Sequence, residues 1–124
     1  MSINIGHWEA MEAASKATQE YISKYGENPM GCGFAWVHVS VRGNNGLMAM
    51  SPQQCSRVAK ELKSVGFTRA YGTKAYGGGY QLWNPSKSST QDMAAKECGA
   101  RAYVEVIKKY LPEGTSIHVE ARLD

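Results

Sequence analysis

A chain of 124 residues with 43% hydrophobic and 20% charged side chains can bury one core, has no room for a second, and is not a disordered tail. No apolar run approaches the roughly 18 residues that a membrane span needs, and the opening MSINIGHWEAMEAAS has neither a basic leader nor an apolar stretch, so no membrane partner and a cytoplasmic location are expected. The net charge of +3 is scattered, with no basic run longer than Lys108-Lys109, which tolerates an anionic ligand but makes nucleic acid an unexpected partner.

The first periodic segment runs from about His7 to Tyr25. Trp8, Met11, Ala14, Thr18, Tyr21, Ile22 and Tyr25 recur at three- and four-residue steps and make the stripe expected to face inward. Gly26 and Asn28-Pro29 end this helix, and Gly31-Cys32-Gly33 reads as loop. Phe34 to Arg42 is the clearest strand. Ala35, Val37, Val39 and Val41 alternate with Phe34, Trp36, His38, Ser40 and Arg42, before Gly43-Asn44-Asn45-Gly46 breaks the pattern.

Ser51-Pro52-Gln53-Gln54 carries the residues of a capping box and predicts a helix to Val65, with Cys55, Val58, Ala59, Leu62 and Val65 inward and Gly66 as its stop. Phe67–Tyr76 and Tyr80–Trp83 read as extended runs joined by a hairpin at Gly77-Gly78-Gly79. After Asn84-Pro85, a long helix is expected from about Ser89 to Leu111. Met93, Ala100, Val104, Ile107 and Leu111 face inward, and Glu97 stands four residues before Arg101, the spacing of an ion pair. Pro112 and Gly114 close this helix, and Ile117 to Leu123 alternates as a half-buried strand.

The elements predict one α+β domain over residues 1–124. An N-terminal helix (1–26) precedes a β-α-β-β-α-β core (33–124) of ferredoxin-like, split β-α-β type. Its antiparallel sheet would carry both core helices on one face, with the first strand central. The pleat then brings Trp36, His38, Gln81, Trp83, His118, Glu120 and Arg122 onto the other face. Indoles that stack, an arginine for phosphate and a glutamine for polar edges suit a nucleotide-like small molecule. The competing reading is burial of this face under the N-terminal helix or a second copy, and a homo-oligomer is expected because large aromatic patches are rarely left wet.

Other groupings are weaker. Lys74 to Trp83 resembles the strand signature of an RNA-recognition motif, but glycines stand where that motif wants an aromatic. The triple glycine does not open a helix, so it is neither a P-loop nor a dinucleotide fingerprint. Cys32, Cys55 and Cys98 are odd in number and lack framework spacing, which predicts reduced thiols. Cys32 lies six residues from His38, roughly 20 Å along an extended strand, so those two do not form a nucleophile–base pair. No His or Cys spacing suits zinc, and neither metal nor cofactor is expected.

Gly33-Phe34-Ala35-Trp36-Val37, Tyr76-Gly77-Gly78-Gly79 leading to Trp83, Gln91 with Lys96-Glu97, Ala100-Arg101-Ala102-Tyr103 and the closing Arg122-Leu123-Asp124 form a pattern. From about Met30 onward it resembles a family of small uncharacterised proteins of tailed bacteriophages. The resemblance implies an accessory protein in the host cytoplasm that acts by binding, for example by sequestering a nucleotide defence signal, and it brings no reaction or residue roles. The expected function is therefore a non-enzymatic binding protein with a nucleotide-like ligand on the aromatic and basic sheet face. An inhibitor or adaptor that docks on a host protein is the alternative, and a hydrolase using Cys32 or the paired histidines stands last.

Overall fold

The computed structural model describes residues 3–27, 33–40, 51–70 and 79–123. The turns expected at Asn28-Pro29, at Gly43-Asn44-Asn45-Gly46 and at Gly77-Gly78 lie outside them, as do Cys32, Arg42 and the run 71–76. The elements are α1 (Ile3–Tyr25), β1 (Gly33–Ser40), α2 (Pro52–Ser64), β2 (Thr68–Ala70), β3 (Gly79–Trp83), α3 (Met93–Ile107) with a 3-10 turn at Lys108–Tyr110, and β4 (Ser116–Leu123). No described helix is long and apolar enough to cross a membrane.

The strands form one four-stranded antiparallel sheet in the order β2-β3-β1-β4. Since each neighbour is antiparallel, β1 and β2 run the same way with β3 inserted between them, and β3 and β4 do so with β1 between. Ala35, Val37 and Val39 of β1 are at most 1% exposed and turn to the helices. They join Val58 and Leu62 of α2, Phe67, Leu82, Ala100, Tyr103 and Ile107 in one core. Alternating apolar residues on a central strand have this consequence: one row is buried and the other must face elsewhere.

α2 begins and ends as its sequence dictates. The Gln54 N–H donates to Ser51 Oγ and the Ser51 N–H to Gln54 Oε1, both at 3.2 Å, which completes the capping box. At its end the Phe67 N–H reaches Leu62 O and the Gly66 N–H reaches Lys63 O. That Schellman arrangement needs the left-handed backbone that Gly66 adopts at φ 110°.

Two expectations are corrected. α3 starts at Met93, not near Ser89, because the polar stretch before it satisfies its own backbone. Asn84 Nδ2 donates to Ser88 O, the Thr90 N–H to Ser88 Oγ, the Asp92 N–H to Thr90 Oγ1, and Asp92 then caps the helix through the Ala95 N–H. Within α3, Glu97 pairs with Arg101 at 3.2 Å, at the surface.

α1 starts at Ile3, not His7, and its inward face keeps Ala14 and Thr18 of the expected stripe but not Trp8 or Tyr25. Its buried residues are Ile3, Gly6, His7, Ala10, Ala14 and Thr18, whereas Trp8 and Tyr25 are each 64% exposed. The reason is close packing on α3. Thr18 Oγ1 donates to Ala95 O, and the backbone of Gly99 lies against Thr18 and Ala14. Small residues let the two helices approach, and bulky ones are turned outward. At the same seam His7 Nδ1 and Tyr103 Oη share a 2.6 Å hydrogen bond. Burial, with Lys87 adding to it, holds the His7 imidazole below its usual range, and burial pushes the Tyr103 phenol up. α1 therefore thickens the helix side of the sheet and leaves the far face uncovered by any described helix.

Candidate functional site

The far face is assembled by strand register. Trp36 stands opposite Trp83 on β3 and Glu120 on β4, His38 opposite Gln81 and His118, and Phe34 opposite Arg122. All seven residues expected on this face thus lie on three adjacent strands, and the inward positions of Tyr80 and Leu82 hold as well, Tyr80 against the core and Leu82 within it.

The face divides into two zones. At one end the indoles of Trp36 and Trp83 stack at 4.4 Å between centroids and 26° between planes, and the Phe34 ring meets Trp83 edge-on at 6.1 Å. Trp83 is 39% exposed, and Trp36 and Phe34 are half-buried. Positive charge flanks this zone. Lys96, reaching over from α3, donates from Nζ to Gly33 O at 2.9 Å and sits 5.6 Å from the Phe34 centroid, with Arg122 across the ladder from the same ring.

The other zone holds imidazoles. The His38 and His118 rings lie 4.9 Å apart, and His118 Nε2 lies 3.2 Å from Glu120 Oε1. His118 and Glu120 are exposed, but His38 is only 6% exposed, and among the described residues neither of its ring nitrogens has a hydrogen-bond partner. Burial first, then the neighbouring His118, lowers the His38 pKa against the opposing pull of Glu120. A neutral ring at this position keeps one N–H and one lone pair out of water, which costs about 1–3 kcal/mol when unmet. Gly79 makes the burial possible: a Cβ there would lie 2.3 Å from His38 Nε2, so only a glycine lets β3 pass the ring at this height.

The sequence readily indicated the residues on the strands. Phe34 belonged to the same row by alternation. Lys96 carried no signal, because it enters from a helix, and Gly79 looked like a turn residue, whereas it serves as the floor under an imidazole.

Chemically, the aromatic end offers stacking and cation–π attraction, and the imidazole end offers polar groups without a reactive partner. Among the described residues neither His38 nor His118 is paired with a hydroxyl or thiol, as nucleophilic catalysis would need. Among the described residues there is also no group of three or more His, Cys, Asp or Glu that could hold a metal ion. A cavity of about 190 Å³ lined by Ile3, Gln54, Arg57, Val58, Glu61 and Pro112 lies elsewhere, between α1, α2 and the segment before β4. Comparison with known proteins finds no matching family model, no matching curated protein and no matching solved structure.

Proposed function

We propose that the chain is a non-enzymatic binding protein that takes a nucleotide-like small molecule on the sheet face turned away from the described helices. The Trp36–Trp83 stack carries this reading. Two adjacent indoles, one of them 39% exposed, lie on the side of the sheet that faces away from every described helix, with Lys96 and Arg122 at the same end. Aromatic patches of this kind mark ligand or partner sites, and base–indole stacking beside a cation suits a planar base with an anionic tail. The strand order and the two interleaved β-α-β units support assigning the fold to the ferredoxin-like, split β-α-β type. The phage accessory role implied by sequence resemblance fits such a sequestering protein.

The test is a titration of a nucleotide panel followed by tryptophan fluorescence. Trp36→Ala or Trp83→Ala should each weaken binding by about 1–3 kcal/mol, and Arg122→Ala should weaken it by an amount that shrinks as salt rises. A flat response to every nucleotide at millimolar concentration refutes the reading. A second reading, docking onto a host protein, is favoured by Ile5 and Trp8, each 64% exposed and three residues apart on α1. A Trp8→Ala variant that loses a host partner while retaining nucleotide binding would separate the two surfaces.

A further inference from the structure

Among the described residues the sheet has β2 at one edge. β4, at the other edge, has eight residues with β1 as its one strand neighbour among the described residues. Its sequence Ser-Ile-His-Val-Glu-Ala-Arg-Leu contains no proline, lysine or glycine, and its register against β1 runs unbroken from Gly33–Leu123 to Ser40–Ser116, so no bulge bends the edge away. α3 packs on β4 without covering it fully. Ile117, Val119 and Ala121 point to the same side as the fully buried row of β1, yet all three remain partly exposed.

We propose that β4 pairs antiparallel with β4 of a second copy of this chain, making one continuous eight-stranded sheet with a two-fold axis at Val119. Like faces stay together in such a pair only when the axis passes through a residue, since directly opposed side chains share a side. An axis at His118 sets two imidazoles against each other, and one at Glu120 sets two carboxylates against each other. The axis at Val119 instead places His118 opposite the partner's Glu120 twice, on the open face, while Val119 meets Val119 and Ile117 meets Ala121 on the helix side. An axis at Ala121 would also oppose Glu120 to Arg122, but it pairs only five residues of β4 where the axis at Val119 pairs seven, so length and complementarity together favour Val119. The interface is small, below about 1,200 Å², which corresponds to a weak dimer. This proposal does not depend on the ligand reading.

Sedimentation equilibrium across micromolar to submillimolar concentrations should show a monomer–dimer equilibrium. His118→Glu opposes two pairs of carboxylates and should raise the dimer Kd roughly tenfold, each cross-strand pair being worth a few-fold. Adding Glu120→Lys to that chain should restore the wild-type Kd. Under mild oxidation Val119→Cys should give a covalent dimer, because opposed strand residues fall within disulfide reach. Ile117→Cys should not, its two copies lying roughly 13 Å apart along the strands. A monomer throughout the range overturns the proposal. So does equal cross-linking at 117 and 119, or failure of the double variant to recover, in particular if another chain segment proves to occupy the edge.

Discussion

Gly79→Ala tests the packing of the candidate site more sharply than any change to its aromatic rings. The added Cβ falls 2.3 Å from His38 Nε2, 2.5 Å from Cε1 and 3.3 Å from Cδ2, so the imidazole must retreat by about 1 Å to reach ordinary contact. Its retreat is limited by His118, whose centroid is 4.9 Å from its own. Overpacking of this kind costs about 1–3 kcal/mol. Gly79 is not at positive φ, so alanine's stiffer unfolded chain returns about 0.4–1 kcal/mol. A net loss of about 1–2 kcal/mol should appear as a lower urea midpoint with unchanged slope. In a His38→Ala background the clash has no object, and the same substitution should become neutral or mildly stabilising. Equal urea midpoints for Gly79→Ala and wild type, or a coupling energy under about 0.5 kcal/mol between the two sites, would refute the seating of His38 on Gly79.

Tyr103→Phe removes the hydroxyl that meets His7 Nδ1 and leaves a buried nitrogen unmet, so it should destabilise by about 1–3 kcal/mol in the same urea assay. Stability should also fall with acid. The folded-state pKa values of His7 and His38 are both lowered, so below the usual imidazole value of about 6.5 the unfolded chain binds more protons. The contribution of these groups is complete above that pH and is lost as pH descends toward their folded values, by up to about 1.4 kcal/mol per pH unit for each. Urea midpoints measured from pH 7.5 to 5 check this, and His38→Gln should flatten the slope.

Much of the fold is written in local patterns. The alternation in Phe34–Ser40 fixed which row of β1 is buried, and Ser51 with Gln54 fixed where α2 begins, because both signals act over a few residues. The inward face of α1 was legible only in part: Ala14 and Thr18 turn inward as expected, whereas Trp8 and Tyr25 do not. Its seam depends on Ala14 and Thr18 meeting Gly99 and Ala95, and on Gly6 meeting Tyr110, and small residues carry little hydrophobic signal beside Trp8 and Tyr25. The start of α3 was obscured by Ser88 and Thr90, whose side chains take the backbone donors that a helix would use, so that Asp92 becomes the cap. At the site, strand parity placed the seven side chains, but the glycine floor and the lysine from α3 arise only from tertiary packing.

The pairing of α1 with α3 also bears on how the chain is made. α1 is complete before any of its partner exists, and α3 follows only after β1, α2, β2 and β3 have been synthesised. At ribosomal rates that interval lasts on the order of seconds, during which the docking stripe of α1 must wait without its cover. Beyond Ile3 and His7 that stripe is glycine, alanine and threonine, which offers nascent neighbours little to stick to, whereas one of leucine and phenylalanine would invite premature association. The same contacts join sequence-distant segments, so they weight the chain toward slow, late closure of its helix layer.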